Sequence, residues 1–256
     1  MSVTCYPTPG KAKALMICDA FARGASGAVR DPRHGAQPGA AFFYGVVDAT
    51  ARIFNTVRDE GRDWYYADNA YFDRGRQAYF RVAKNAFQLS KIVPGDYKRL
   101  DRAGVKIKPW RTTGEHVVVC EQSAAFMRLC GYEGDWTSEV LAQLKQVTSR
   151  PVRLRAWNRD KGKMMATLKA DLVGAWALVT HMSASANEAL LAGVPVFVTG
   201  PCAALPMSNT TWQHIDNPVL YEGREEWAAG LVANQWTLDE MKSGKCWRDL
   251  NDQRLV

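Results

Sequence analysis

Three features that mark specialised classes of protein are missing from this sequence of 256 residues. No segment approaches the roughly 18 uninterrupted apolar residues needed to cross a bilayer. Residues 1–13 lack the charged start, apolar run and small-residue cleavage site of a signal peptide. The six cysteines show no C-x-x-C spacing, so neither a zinc site nor a disulfide framework is indicated. We therefore expect a cytoplasmic protein whose thiols are reduced and mostly buried.

Acidic side chains are in the minority. Asp and Glu number 26 against 33 Lys and Arg, which gives a formal net charge of +7. Excess positive charge favours an anionic partner, such as nucleic acid, a sugar nucleotide or an acidic membrane. The basic residues are nevertheless dispersed, with no run of five or more like charges, so a solubilising surface charge explains the excess equally well.

The pattern of apolar residues predicts an α/β fold with two Rossmann-like domains and a C-terminal helix. Strands are predicted at 14–18, 41–47, 63–68, 79–83, 115–120, 151–157, 176–179 and 194–198. Helices are predicted at 49–60, 137–147, 164–172 and 185–192, and a final helix contains Trp236, Leu238, Met241 and Trp247. The regular alternation in the second half predicts a doubly wound parallel sheet, which binds ligands at the carboxyl ends of its strands.

The apolar periodicity fades between residues 93 and 114, where turn-forming and basic residues accumulate. A loss of periodicity over such a length is typical of the segment that joins two domains. The predicted domains therefore span residues 1–110 and 111–256.

The clearest candidate site is the polar cluster at 180–188, which follows a predicted strand and opens a predicted helix. The first turn of such a helix offers unbonded N–H groups and the positive end of its dipole to an anion. Ser183 and Ser185 can donate hydroxyl hydrogen bonds to phosphate. His181 can donate from its ring, and Glu188 can accept from sugar or ribose hydroxyls. The alternative is a serine-capped helix beside a histidine that is satisfied within the protein.

Residues 177–196 resemble the donor-binding signature of GT-B glycosyltransferases, whose relatives include bacterial capsule polysaccharide transferases and sugar-nucleotide epimerases. In that signature a strand ends in a His- or Ser-rich turn, and a helix containing Glu-Ala-Leu and then Gly-x-Pro-Val follows. The glycine common in the turn is absent here, with Ala184 and Ala186 in the neighbouring places. The resemblance implies a nucleotide-sugar site formed by His181, Ser183, Ser185, Asn187 and Glu188.

A second cluster follows a predicted strand at residues 153–163 and contains five basic side chains. In the glycosyltransferases that the sequence resembles, a basic residue after this strand neutralises the donor phosphates, and a guanidinium group suits a pyrophosphate. The residues implied in this role are Arg155, Arg159, Lys161 and Lys163. The alternative is a solvated basic loop.

The same resemblance implies that the N-terminal domain binds the acceptor. Attack by a hydroxyl group needs a carboxylate or histidine to take its proton. The candidate bases are Asp68 and Asp19, which follows the predicted strand at 14–18, and His34 is a third choice. The alternative for each aspartate is a structural role, such as capping a turn. Residues 64–85 interleave aromatic rings with cations, as sugar sites and nucleic-acid grooves do, and a hydrophobic hairpin is the alternative. The candidate acceptor-binding residues are Arg23, Gly24, Tyr71, Arg74 and Arg76.

Residues 64–85 and 235–241 also resemble phage-encoded proteins of glycosyltransferase type. This resemblance implies an enzyme of the bacterial host's cytoplasm that moves a hexosyl or pentosyl group from a nucleotide sugar, with a UDP-sugar as the expected donor. The implied acceptor is a hydroxymethylated pyrimidine, such as hydroxymethylcytosine, in double-stranded bacteriophage DNA. No metal or other cofactor is expected, because no D-x-D motif accompanies the donor cluster. The alternatives are a transferase of capsule or lipopolysaccharide glycans and a non-catalytic DNA-binding protein of the same fold.

Overall fold

A computed structural model describes residues 2–72, 78–156 and 167–252 of the chain. The chain divides into two compact units. The first unit comprises Met1–Leu89, Val93–Ala103 and Ala229–Val256, and the second comprises Ser90–Ile92 and Gly104–Ala228. The last part of the chain therefore packs with the N-terminal part of the sequence.

The secondary structure of the described residues alternates strands with helices for most of its length. The strands are β1 (Val3–Tyr6), β2 (Ala28–Val29), β3 (Ala40–Tyr44), β4 (Trp64–Asn69), β5 (Phe80–Lys84), β6 (His116–Cys120), β7 (Val152–Arg155), β8 (Ala175–Thr180), β9 (Val196–Val198) and β10 (Gln235–Trp236). The α-helices are α1 (Ala12–Gly24), α2 (Asp48–Asp59), α3 (Tyr97–Ala103), α4 (Ala124–Leu129), α5 (Trp136–Val147), α6 (Leu168–Asp171), α7 (Ser185–Leu191), α8 (Arg224–Ala233), α9 (Leu238–Lys242) and α10 (Lys245–Asn251). Within the described ranges, no helix combines the length and the apolar character needed to cross a bilayer.

The first unit is built on a six-stranded sheet in the order β10-β5-β4-β3-β1-β2. Strands β1 to β4 are parallel, whereas β5 and β10 each pair antiparallel with their neighbour. After β1 the chain forms β2 on one side and then β3 on the other. The carboxyl ends of β1 and β3 therefore flank the topological switch point, which is where doubly wound sheets bind ligands.

The second unit is built on a four-stranded sheet in the order β7-β6-β8-β9, and all three strand pairs are parallel. Every residue of β6 is buried, as expected for a strand that is covered on both faces. Helix α5 covers one face, where its Trp136, Val140 and Leu144 belong to the same buried cluster as Val117 and Val119 of β6. The switch point of this sheet lies between the carboxyl ends of β6 and β8.

The prediction of a strand at 14–18 is wrong, because these residues lie inside helix α1. The buried residues Ala14, Ile17, Cys18 and Phe21 recur at the spacing of one helical face. An apolar run of five residues does not distinguish a strand from a buried helix segment by periodicity. The strand of this unit comes earlier, at β1, and α1 is the helix that follows it.

The predicted C-terminal helix is two helices, α9 and α10, and Trp236 precedes them in β10. Trp236 pairs with Phe80 of β5, so it belongs to the first sheet. The two helices are separated by Gly244, whose φ of 77° lies in the left-handed region that glycine adopts most readily. Met241 of α9 and Cys246 of α10 are buried in the core of the first unit.

Gly24 ends α1 where the helix meets the turn between α9 and α10. A Cβ atom at this position would lie 1.8 Å from the carbonyl oxygen of Met241 and 2.8 Å from the backbone nitrogen of Gly244. Both obstacles are backbone atoms, so the clash can be relieved only by separating the two elements. We expect Gly24→Ala to lower the free energy of unfolding by about 1–3 kcal/mol, measured by urea denaturation.

Arg23→Ala is the matched control, because Arg23 is exposed and precedes Gly24 in the same helical turn. Its free energy of unfolding should stay within about 0.5 kcal/mol of the parent protein. A Gly24→Ala protein as stable as the parent would contradict the close approach of α1 to the α9–α10 turn.

Candidate functional site

The carboxyl ends of β6 and β8 are joined by two side-chain hydrogen bonds. The hydroxyl of Thr180 donates to the carbonyl oxygen of Cys120 over 2.8 Å. The N–H of Met182 donates to Oε1 of Gln122 over 2.7 Å. The polar cluster predicted at 180–188 therefore lies at the switch point of the second sheet, where the fold favours ligand binding.

The two serines of this cluster are bonded to each other. The backbone N–H and the hydroxyl of Ser185 both donate to Oγ of Ser183, over 3.2 and 2.9 Å. Ser183 thus uses its acceptor capacity within the turn, and its own hydroxyl proton is available to a ligand. Among the described residues, the backbone N–H groups of Ser183 and Ala184 have no hydrogen-bond partner. The turn consequently offers hydrogen-bond donors, which suits an anionic ligand.

His181 is held at the edge of the same turn and is only 8% exposed. Its Nδ1 lies 2.8 Å from Oγ1 of Thr199, which also accepts a hydrogen bond from the indole of Trp136. Burial lowers the pKa of His181, so the neutral ring is favoured. Gly200 packs on the ring, since a Cβ there would lie 2.8 Å from both Cε1 and Nε2. Nε2 has no partner among the described residues and is left for a ligand.

Asn187 and Glu188 are adjacent residues of α7 that differ in burial. Asn187 is 1% exposed, and neither its amide oxygen nor its amide nitrogen has a partner in the described structure. Glu188 is exposed. Burial raises the pKa of the Cys120 thiol to about 11. A hydrogen bond with Ser185 lowers this pKa, and the nearby charge of Glu188 raises it.

Arg155 ends β7, and of the four basic residues predicted to bind phosphate it alone lies within the described ranges. Its guanidinium forms an ion pair with Asp171 of α6. The Asp171 carboxylate thus balances part of the positive charge that the sequence places here. The other three predicted cations lie outside the described residues; they are Arg159, Lys161 and Lys163.

The first unit brings Asp68 to the carboxyl edge of its sheet, as the last but one residue of β4. One Asp68 oxygen accepts from Nη2 of the buried Arg81 over 2.7 Å. Lys13 and Tyr44 both donate to Oδ1 of the next residue, Asn69, over 2.9 and 3.2 Å. Sequence reasoning did not single out Lys13 or Tyr44, which bond to the residue next to Asp68. Lys13 could have been found only by recognising α1, because it then falls in the first turn of the helix after β1.

Four further residues predicted for the acceptor side lie within the described ranges: Asp19, Arg23, Gly24 and Tyr71. Asp19 and Arg23 lie on α1, which runs back from the carboxyl edge, and they border a shallow cavity of about 380 Å³. Their assignment to a strand end is therefore wrong, as it is for Gly24. Tyr71 is buried, and its hydroxyl accepts the N–H of Leu89 over 2.8 Å. The acceptor roles of these residues stay predictions.

Three further residues complete the comparison with the sequence. His34 is exposed in a 3-10 turn that spans Pro32–His34. Arg74 and Arg76 lie outside the described residues. In the described part of the chain, no three His, Cys, Asp or Glu side chains lie close enough together to hold a metal ion.

No family model and no curated protein matches this sequence. Solved structures do match. A structure of Thermosulfurimonas dismutans KpsC, described as a beta Kdo 2,7 transferase, is 12% identical with a TM-score of 0.55, covering 96% of this chain and 99% of that chain. A second KpsC structure of the same organism, described as a beta Kdo 2,4 transferase, is 12% identical with a TM-score of 0.52, covering 90% of each chain. The predicted fold class, α/β with two Rossmann-like domains, is confirmed.

The buried ring of His181 makes stability depend on pH. In the folded protein its pKa lies below 6.5, so the unfolded chain binds a proton more readily. The contribution of His181 to stability is therefore present above pH 6.5 and is lost as pH falls through the folded pKa. His181→Asn can keep the hydrogen bond to Thr199 and cannot be charged, so between pH 7.5 and 5.5 its free energy of unfolding should fall less than that of the parent.

The measurement is urea denaturation at several pH values, with His34→Asn as the control for loss of an exposed histidine. Identical pH profiles for the parent and His181→Asn would contradict burial of the His181 ring.

Proposed function

We propose that this protein is a glycosyltransferase that moves a sugar from a nucleotide donor to a hydroxyl group of a capsule- or lipopolysaccharide-type glycan. The observation that carries the proposal is the set of hydrogen-bond donors at the switch point of the second sheet, around Ser183 and His181. Two solved structures of this fold are named as Kdo transferases, which favours a sugar-transfer reaction over other uses of the fold.

The donor end of the reaction needs stabilisation of a departing phosphate. The Ser183 hydroxyl and the N–H groups of Ser183 and Ala184 supply hydrogen bonds to phosphate oxygens, and Arg155 supplies a positive charge at the neighbouring strand end. Such donors stabilise the developing charge on the leaving group. Glu188 accepts hydrogen bonds from hydroxyls of the sugar or ribose. A UDP-sugar is the first donor to test.

The acceptor end of the reaction needs a base for the attacking hydroxyl, and Asp68 is the candidate. Its side chain is 35% exposed, so a ligand can reach it. Arg81 and the N–H of Asn69 hold the carboxylate in place through one oxygen each, and further lone pairs stay available for a proton. Lys13 and the Asn69 amide lie beside it and can bind sugar hydroxyls.

A glycan acceptor is favoured over a hydroxymethylated base of phage DNA. The case for DNA depends on the net charge and on the aromatic and basic stretch at 64–85. Within that stretch Tyr71 is buried and bonded inside the first unit, and Arg81 is paired with Asp68, so neither is presented to a DNA backbone. The two Kdo transferases point to glycan chemistry by their names.

Nucleotide-sugar binding is the first test of this function. A panel of uridine, guanosine and cytidine sugar nucleotides should include one that raises the melting temperature of the protein, because a ligand that binds only the folded state stabilises it. Ser183→Ala and Glu188→Ala should each weaken binding of that donor about tenfold or more, measured by titration calorimetry. Ser149→Ala and Glu133→Ala, at exposed positions in the same unit, are the matched controls.

The acceptor is identified by mass spectrometry. The protein is incubated with the stabilising donor and, in separate reactions, with capsule-type oligosaccharides and with DNA containing hydroxymethylcytosine. The expected result is a mass increase of one sugar on an oligosaccharide. Transfer to the base, or stabilisation by none of the donors, would contradict the proposal; DNA binding without transfer would favour the non-catalytic alternative.

Replacing the candidate base gives a separate prediction. Asp68→Asn keeps a hydrogen-bond acceptor for Arg81 and removes the proton acceptor, so the rate of sugar transfer should fall about 10²- to 10⁴-fold. Donor affinity should stay unchanged, because Asp68 belongs to the first unit and the donor residues to the second. Asp59→Asn, at the exposed end of α2, is the control. Full activity of the Asp68→Asn variant would show that Asp68 is not the base.

A further inference from the structure

Gln122, the second residue after β6, has a fixed amide orientation. Its side chain accepts the N–H of Met182 over 2.7 Å, and only the oxygen of an amide can accept such a bond. The amide nitrogen must therefore point away from Met182. This nitrogen has no partner among the described residues, and the residue is only partly buried.

The strand geometry places Gln122 on a definite side of the second sheet. Cys120 faces α7, because its thiol bonds with Ser185. Glu121 faces α5, where the Thr137 hydroxyl lies 3.4 Å from its Oε1. Gln122 accepts the N–H of Met182, in the turn that leads into α7, so we infer that it lies on the same side as Cys120. Its amide nitrogen consequently borders the switch point from the β6 end.

The groups around this nitrogen decide what it can bind. The Ser183 hydroxyl has its acceptor capacity used by Ser185, and Arg155 brings a cation at the adjacent strand end. A ligand group that faces the Gln122 amide nitrogen and the Ser183 hydroxyl meets two hydrogen-bond donors. Phosphate oxygens are acceptors without donors, whereas the edges of nucleobases and the hydroxyls of sugars carry both.

We propose that Gln122 is a specificity-determining residue of the donor site, whose Nε2 donates a hydrogen bond to a phosphate oxygen of the nucleotide while its Oε1 positions the turn at Met182. The inference rests on the proposed function, since it names a further contact of the same donor site. It also distinguishes two tasks within one side chain: the oxygen supports the fold locally, and the nitrogen recognises the ligand.

Gln122→Glu separates these two tasks. The carboxylate keeps an oxygen for the Met182 N–H and nearly the same shape, but it replaces the amide nitrogen with an anionic oxygen. Gln122→Met, of similar length, removes both groups. Gln146→Glu, at an exposed position of α5, controls for one added negative charge in the same unit. The full-length protein is used for every variant.

The probes are uridine and cytidine, each as the free nucleoside and as its 5′-mono- and diphosphate. Titration calorimetry measures the nucleotides, and ligand-observed NMR measures the nucleosides. Gln122→Glu should weaken binding of the phosphorylated forms about 10- to 100-fold, the value of a hydrogen bond to a charged group. Its affinity for the nucleosides should change less than about twofold, and its melting temperature should match that of Gln146→Glu.

Three outcomes would overturn the inference. If Gln122→Glu binds the nucleotides as tightly as the parent, the amide nitrogen does not contact phosphate. If the nucleosides lose as much affinity as the nucleotides, the contact is to the base or the ribose. If the loss appears only in Gln122→Met together with a lower melting temperature, Gln122 supports the turn alone. Failure of the parent protein to bind any nucleotide would instead overturn the proposed function, and this inference with it.

Discussion

The parallel pairing of β6 with β8 is the constraint on which the candidate donor site depends. The two strands are hydrogen-bonded neighbours that run in the same direction, so residues 60 positions apart meet at their carboxyl ends. The bond from Thr180 to Cys120 joins the last residues of the two strands, and the bond from Met182 to Gln122 lies beyond them. Because every residue of β6 is buried, a slip of register would move polar ends into the core and apolar residues out of it. The geometry of the turn is thus maintained by the hydrophobic core beneath it.

Hydrogen-bond donors, more than net charge, characterise this turn. Arg155 is balanced by Asp171, and burial favours the neutral form of His181. What the turn presents instead is directional: the hydroxyl of Ser183, two backbone N–H groups and the amide nitrogen of Gln122. Directed donors in a partly buried site discriminate between ligands more sharply than a diffuse positive surface, because an unmatched partner leaves buried polar groups unpaired. The charge of +7 is a property of the whole chain and does not identify this site.

In the first unit an antiparallel strand gives the edge of the sheet a different character. Strand β5 runs antiparallel to β4, so its first residues lie beside the last residues of β4. Arg81 is brought to Asp68 in this way, and its buried guanidinium is satisfied by the Asp68 carboxylate and by the carbonyl oxygen of Asn69. Removing the partner of a buried cation lowers the stability of the folded protein. Asp68 therefore stabilises the first unit in addition to its proposed role as a base.

The amino-acid sequence predicts the class of fold and the polar cluster that follows β8. Continuous apolar strands such as β6 and β8 are stable only when both faces are covered, so their alternation with helices predicts the doubly wound sheet. The polar cluster after β8 can be recognised in the sequence because polar residues begin abruptly where the apolar strand ends. The remaining features depend on the tertiary structure. Residues 14–18 are too few and too uniformly apolar to reveal a helix, and Gln122 has no sequence signal at all. The bond between Gln122 and Met182, the bond between Lys13 and Asn69, and the return of residues 229–256 to the first unit all join positions far apart in the chain. Local sequence patterns do not encode such contacts.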